Sequence, residues 1–155
     1  MNMEKKLESM GISLPKPMEP LANYVTAVID GELLYTSGMG PIENGKPKYQ
    51  GRVGTEVSLE EGYQASRITM LNILSTVKSY LGSLDRIERV IKVLGFVSSA
   101  NDFHRQPEVI NGASDLLVEL LGDRGAHARS AIGTCNLPMN IPVEIEMILK
   151  IKKGP

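Results

Sequence analysis

The chain has 155 residues, of which 42% are hydrophobic and 23% are charged, and its formal net charge is −1. This size and balance are typical of one globular domain that buries its own core without a disulfide or a structural metal. The near-neutral charge and the aromatic content of 5% argue against a nucleic-acid-binding surface or an anionic membrane surface. The single cysteine, Cys135, excludes an intramolecular disulfide.

The ends of the chain carry no recognisable targeting signal. Residues 1–14 lack the apolar run of a secretory signal, and no window of the sequence is long and apolar enough to span a membrane. We therefore expect a cytoplasmic protein with a single domain over residues 1–155. The prolines at positions 15, 17 and 20 predict an extended lead-in over residues 1–20.

A β-hairpin is predicted after the lead-in. Two runs rich in β-branched and aromatic residues, at about 22–29 and 32–37, flank the dipeptide Asp30-Gly31. Glycine supplies the positive φ angle of a tight hairpin turn, so the pattern predicts two antiparallel strands. The Gly- and Pro-rich residues 39–57 then predict a long loop that resembles a mobile flap, with a short strand near 48–53 as the alternative.

Two helices are predicted in the rest of the chain. Ser58-Leu-Glu-Glu61 is a capping box, because the serine oxygen can accept the backbone N–H of Glu61, and the apolar stripe that follows predicts a helix over 59–81. Pro107 suits the first turn of a second helix, whose apolar stripe runs to Leu121 before Gly122 ends it.

Three more strands are predicted at 89–97, 128–136 and 142–151. The last has the clearest pattern, because apolar residues alternate along one face from Val143 to Ile151. Its other face carries Glu144, Glu146, Ile148 and Lys150.

The order of elements predicts an α+β fold with a mixed sheet of about six strands and both helices packed on one face. Two helices cannot cover both faces of such a sheet, so apolar residues such as Ile148 lie on a face that the chain itself leaves open. A large exposed apolar face usually marks an interface. We therefore expect an oligomer in which sheet faces of different subunits meet.

Two groups of side chains are candidates for chemistry. Glu144 and Glu146 leave the same strand face, an arrangement that suits acid–base work, although two solvated or ion-paired glutamates would give the same pattern. Arg129 stands at the start of a strand, and an arginine can hold a carboxylate through two parallel N–H bonds. The alternative for Arg129 is an exposed, solubilising side chain.

Other kinds of site find little support. His104 and His127 lack the spacing of metal ligands, so no metal site is expected. Gly38-Met-Gly40 is followed by a proline rather than a helix, which argues against dinucleotide binding. Cys135 has no basic neighbour in sequence and is expected to be buried and unreactive.

Several motifs together resemble the YjgF family of reactive-intermediate (enamine/imine) deaminases, also known as the endoribonuclease L-PSP family. The resemblance covers about residues 22–152. The motifs are Tyr35-Thr-Ser-Gly38, Phe96-Val97 with Asn101-Asp-Phe103, Arg129-Ser130, Leu137-Pro138 and Val143-Glu-Ile-Glu146. Three departures suggest a divergent branch, namely Met39 where glutamine is usual, Ala131 where cysteine is common, and His127 just before the arginine.

The resemblance implies a chorismate-mutase-like fold of the bacillus type, a homotrimer with sites in clefts between subunits, and hydrolysis of 2-enamine or 2-imine acids to 2-keto acids and ammonia without a cofactor. Carried over by position, Arg129 would hold the substrate carboxylate and Glu144 would activate water. The substrate-binding positions would be Tyr24, Ser37, Gly38 and Asn111.

Two alternatives remain open at this point. The same clefts could bind a small carboxylate or keto acid without turnover. An endoribonuclease or translation inhibitor is the other alternative, and the near-neutral charge and missing aromatic platform argue against it.

Overall fold

The computed structural model describes residues 2–154. The helices are α1 (Met3–Ser9), α2 (Leu59–Leu81) and α3 (Gln106–Leu121). The strands are β1 (Ala27–Asp30), β2 (Leu33–Thr36), β3 (Ile42–Glu43), β4 (Lys46–Pro47), β5 (Ile87–Ser98), β6 (Ala128–Thr134) and β7 (Val143–Ile151). Short 3₁₀ turns span Leu84–Arg86, Gly122–Gly125 and Pro138–Asn140.

Five strands form one mixed sheet in the order β1-β2-β7-β5-β6. All neighbours are antiparallel except β5 and β6, which are parallel. Parallel neighbours need a crossover connection, and α3 supplies it. Because β6 is the last strand in this order, it forms an edge of the sheet. Helix α3 packs beside it.

Both long helices cover one face of the sheet, as predicted. The alternating residues of β7 from Val143 to Ile151 are buried on that face, where they form a single core with the apolar stripes of α2 and α3. The opposite face is open within this chain, and apolar side chains such as Val28 (52% exposed), Tyr35 (40%) and Ile132 (48%) remain on it. The α+β fold class with a mixed sheet is confirmed.

The N-terminal prediction was wrong for part of the lead-in. Residues 3–9 form α1 because Met3 and Leu7, four positions apart, both reach the core. Asn2 begins this helix by accepting the backbone N–H of Lys5 at 2.8 Å. The Glu4 carboxylate also accepts the N–H of Leu84 at 3.0 Å, which ties the segment to the domain.

The hairpin and the strand count differ from the expectation in detail. The first strand begins at Ala27, not at residue 22, and its turn glycine, Gly31, has the expected positive φ of 61°. The main sheet has five strands, and the remaining pair, β3 and β4, forms a separate small hairpin. This hairpin lies within the predicted flap, outside the 48–53 range given as the alternative.

The predicted flap is fastened to the domain at several points. The Asn72 side chain donates to the carbonyls of Gly40 (3.0 Å) and Ile42 (2.9 Å), and Val53 and Val57 are buried in the core. A loop with buried anchors and satisfied carbonyls is held in place, which argues against a freely moving flap.

Two further expectations concern the burial of Cys135 and membrane-spanning segments. Cys135 is exposed beyond the end of β6, so the expectation of burial was wrong. No helix within residues 2–154 is long and apolar enough to cross a membrane.

Candidate functional site

The first candidate group surrounds Arg129 on the edge strand β6. Arg129 pairs in register with the buried Val93, so its side chain lies on the helix side of the sheet. There its Nη1 atom donates to Asn111 Oδ1 at 2.8 Å and to Ser114 Oγ at 3.1 Å. Asn111 and Ser114 are three positions apart on α3 and therefore share a helix face.

A histidine extends this group. The Nδ1 atom of His127 lies 2.6 Å from the carbonyl oxygen of Gly125, and its Nε2 atom lies 2.9 Å from Ser114 Oγ. A carbonyl oxygen can only accept, so Nδ1 carries the ring proton. Burial lowers the pKa of His127 and Arg129 lowers it further, against the opposing effect of the Gly125 hydrogen bond, so the neutral ring is favoured.

The Arg129 guanidinium retains donors for a ligand. Within residues 2–154, all hydrogen bonds of this side chain are made by Nη1, and no carboxylate oxygen lies within 4.0 Å of it. A guanidinium has five N–H donors, and Nε with Nη2 presents two of them side by side. This half-buried cation is therefore fixed by neutral partners and suited to receive a carboxylate.

The second candidate group surrounds Glu144 near the start of β7. Glu144 lies on the open face of the sheet, in register with Phe96 of β5. Its carboxylate occupies the space that a Cβ atom on Gly38 would fill, so a larger residue at that position would displace the carboxylate. The residue before it, Ser37, donates its hydroxyl to the carbonyl of Val25 at 2.6 Å.

The electrostatic surroundings of Glu144 suit a proton acceptor. Partial burial raises its pKa, and the negative charge of Glu146 on the same strand face raises it further. A carboxylate with a raised pKa takes up and returns a proton more readily near neutral pH.

Tyr24 belongs to the second group only by its place in the chain. It is exposed in the segment before β1 and directly precedes Val25, the residue to which Ser37 is bonded. The sequence placed it within the first strand, whereas the strand begins three residues later.

The structure thus brings five of the six predicted residues together as two groups, and Tyr24 adjoins the second only in sequence. Arg129 and Asn111 are hydrogen bonded on the helix side of β6, while Ser37, Gly38 and Glu144 adjoin on the open side of β7. The strand β5 lies between β6 and β7. One chain by itself does not place Arg129 and Glu144 in one pocket.

Sequence reasoning missed Ser114 and left His127 without a role. The spacings carried a signal, because Ser114 is three positions from Asn111 on a helix and His127 is two positions from Arg129 beside a strand. Within residues 2–154 no group of three His, Cys, Asp or Glu side chains is arranged to hold a metal ion.

Comparisons with known proteins cover almost the whole chain. A model of the family described as "YjgF/chorismate_mutase-like, putative endoribonuclease" matches residues 4–149. Protein TCP17 of Trypanosoma cruzi is 37% identical over 146 residues, which cover 94% of this chain and 91% of that protein.

Solved structures show the same relationship. The crystal structure of Atu1372 from Agrobacterium tumefaciens, a protein of unknown function, is 44% identical with a TM-score of 0.91, covering 97% of this chain and 92% of that one. A "putative endoribonuclease" from Shewanella oneidensis is 32% identical with a TM-score of 0.94, covering 97% of this chain and 100% of that one. The fold and its chain connectivity are therefore shared along nearly the full length.

Proposed function

The chain belongs to the YjgF/chorismate-mutase-like family, and on this premise we propose that it hydrolyses reactive 2-enamine and 2-imine acids to 2-keto acids and ammonia. The observation that carries the proposal is the state of Arg129. Its guanidinium is half-buried, held by the neutral side chains of Asn111 and Ser114, and has no carboxylate partner within residues 2–154. Such a cation fits the carboxylate of a small acid.

The carboxylate clamp would supply binding and orientation. Two parallel N–H bonds from Nε and Nη2 fix the plane of a carboxylate, and the imine carbon is attached directly to that carboxylate. Orientation is a large part of what this reaction needs, because an imine is already electrophilic and requires only a correctly placed water.

Glu144 would carry the protons. It takes a proton from water as the oxygen bonds to the imine carbon, and it returns that proton to the nitrogen, which receives the C=N electron pair. The resulting amino alcohol collapses when its hydroxyl proton passes through Glu144 to the nitrogen, the oxygen forms a double bond to carbon and the C–N bond breaks, which releases ammonia. An enamine first takes a proton at its terminal carbon and loses one from nitrogen to become the imine. The raised pKa of Glu144 supports both halves of this exchange.

The site would be completed between subunits. Arg129 lies on an edge strand and Glu144 lies on the uncovered face, so each is accessible to a neighbouring copy of the chain. The proposed homotrimer would bring the Arg129 group of one subunit to the Gly38–Glu144 group of the next.

A coupled assay tests the proposal. A serine or threonine dehydratase generates 2-aminoacrylate or 2-iminobutanoate in solution, and release of the keto acid is followed with and without the protein. We expect faster release with the wild type. Arg129→Ala should lower kcat/KM by about 100-fold, the value of one or two charged hydrogen bonds.

A matched arginine variant serves as the control. Arg105 forms an exposed ion pair with Glu108 at the start of α3, and Arg105→Ala should keep wild-type activity. Equal acceleration by Arg129→Ala and the wild type would contradict the carboxylate clamp. No acceleration by the wild type, together with binding of the keto acid, would favour the non-catalytic binding protein.

A further inference from the structure

The structure assigns Ser114 and His127 as positioning residues of Arg129: Gly125 fixes the histidine tautomer, the histidine fixes the serine hydroxyl, and the serine oxygen aims the guanidinium. We infer that this relay of hydrogen bonds sets the orientation of the carboxylate site. The inference rests on the proposed function for the identity of the ligand. The relay itself rests on the contacts alone.

The direction of each hydrogen bond follows from the one before it. The Gly125 carbonyl accepts from Nδ1 of His127, which leaves Nε2 of a neutral ring as an acceptor. The Ser114 hydroxyl must then donate its only proton to Nε2. Its oxygen lone pairs remain for the Nη1–H of Arg129. Reversing the tautomer would leave two acceptors facing each other, the unprotonated Nδ1 of His127 and the Gly125 carbonyl oxygen.

The relay also fixes which edge of the guanidinium a ligand meets. Nη1 has two N–H groups, and Asn111 Oδ1 and Ser114 Oγ receive one each. Both partners of Nη1 belong to α3, so the edge of the guanidinium formed by Nε and Nη2 faces away from these two partners. Without Ser114, Asn111 alone would hold Nη1 and the guanidinium plane could pivot.

Ser114 is engaged on both sides, which favours positioning over nucleophilic attack. Its proton is committed to His127 and its oxygen accepts from a cation. The serine–histidine pair therefore differs from a catalytic pair, in which the hydroxyl oxygen must be open to a substrate carbon.

Burial is the main cause of the lowered pKa of His127, and the charged groups nearest to the ring are arginines. Arg129 lies on the same strand, and Arg89 of β5 lines the same groove. The preceding 3₁₀ turn contributes Arg124, whose Nη1 atom donates to the carbonyl of Ile87 at 3.0 Å. Helix α3 contributes only neutral partners, and within residues 2–154 no carboxylate oxygen lies within 4.0 Å of a ring nitrogen.

Nitrogen-15 NMR of the histidine rings tests the relay without any assumption about turnover. The chain has two histidines, so His104 is an internal reference. We expect His127 to carry its proton on Nδ1. In Arg129→Ala, the pKa of His127 should rise because the neighbouring positive charge is gone. A proton on Nε2, or a His127 pKa unaffected by Arg129→Ala, would overturn the relay.

Binding of 2-oxobutanoate, the keto acid product, provides the second measurement. The anion partly neutralises Arg129, so saturating 2-oxobutanoate should raise the pKa of His127 in the wild type but not in Arg129→Ala. A bound anion that leaves His127 unmoved in the wild type would contradict the placement of the relay beside the carboxylate.

Kinetics of Ser114 variants separate positioning from stability. Ser114→Ala should raise KM by about five- to tenfold with little change in kcat, because one hydrogen bond to the clamp is lost. Ser114→Thr keeps the hydroxyl and should restore KM. Ser79→Ala removes another helical serine hydroxyl, one bonded to the carbonyl of Thr76, and is the control. A fall in kcat with unchanged KM in Ser114→Ala would overturn the positioning role.

The two proposals can fail separately. If NMR confirms the relay and the dehydratase-coupled assay shows no turnover, the deaminase proposal fails and the relay stands. If turnover is found but His127 carries its proton on Nε2, the relay fails and the deaminase proposal stands.

Discussion

Arg129 and Glu144 lie on opposite faces of the same sheet, on strands that both flank β5. Arg129 pairs with Val93, which in turn pairs with the buried Met147, whereas Glu144 pairs with Phe96 on the open side. The alternation of side chains along a strand makes this separation a property of the fold. Under the proposed function, a reaction that uses both side chains would draw them from two copies of the chain.

Mixed oligomers of two inactive variants test this arrangement. Arg129→Ala and Glu144→Gln chains, co-expressed with different tags, should each be inactive alone. A mixed trimer that carries both tags has one cleft in three that combines an intact Arg129 with an intact Glu144 from the neighbour, so about one third of wild-type activity should return. Purification through both tags followed by the coupled assay measures it.

The double variant supplies the control for that mixture. Chains of the double variant Arg129→Ala/Glu144→Gln are mixed equally with wild-type chains. A cleft shared by two subunits is intact only when both are wild type, about one time in four, whereas a cleft within one subunit is intact about one time in two. Activity near one half, or no recovery with the two single variants, would show that both residues act from the same chain.

Glu144→Gln should increase stability while it removes activity. The pKa of Glu144 is raised in the folded chain, so the folded state binds more protons than the unfolded state, and stability decreases as pH rises through this interval. Glu144→Gln removes the unfavourable partly buried charge at pH 7.5, so the free energy of unfolding should be larger than in the wild type. Below the ordinary pKa of glutamate the carboxyl is protonated in both states, and this difference in stability should vanish. Urea unfolding at the two pH values measures the difference. Glu43→Gln, at an exposed ion pair with Lys48, should have little effect at either pH.

Gly38→Ala should lower activity much more than stability. A Cβ at this position overlaps the carboxylate of Glu144, which is the far end of a flexible side chain and can rotate aside. The displaced carboxylate would no longer meet the substrate, so we expect a loss of about tenfold or more in kcat with under about 1 kcal/mol lost in stability. An unchanged kcat would show that the position of the carboxylate is unimportant.

Gly112→Ala, in contrast to Gly38→Ala, should mainly lower the stability of the fold. A Cβ on Gly112 would overlap the backbone carbonyl of Tyr63 on the neighbouring helix α2, and backbone cannot rotate aside. We expect a loss of about 3 kcal/mol or more, measured by thermal unfolding. Gly62→Ala is the control, because its nearest neighbours are the movable side chains of Val109 and Val53 at 3.1 and 3.2 Å.

The sequence predicted the features that depend on local pattern. The capping box at Ser58, the stop at Gly82 and the alternation of β7 all have short-range causes, and the structure contains each of them. The family motifs in turn led to the prediction that Arg129, Glu144, Gly38 and Asn111 are members of a site. The helix at residues 3–9 escaped prediction because its two apolar residues gain stability only by reaching a core built from distant segments.

Tertiary structure alone decided how the site is divided. The pairing of Arg129 with Asn111 and Ser114 depends on where α3 crosses β6, and the contact of Glu144 with Gly38 depends on the register between β2 and β7. Neither crossing nor register can be read from composition or periodicity, because both are set by how the layers pack. The sequence determined which side chains are available, and the packing of α3 on an edge strand determined which of them meet.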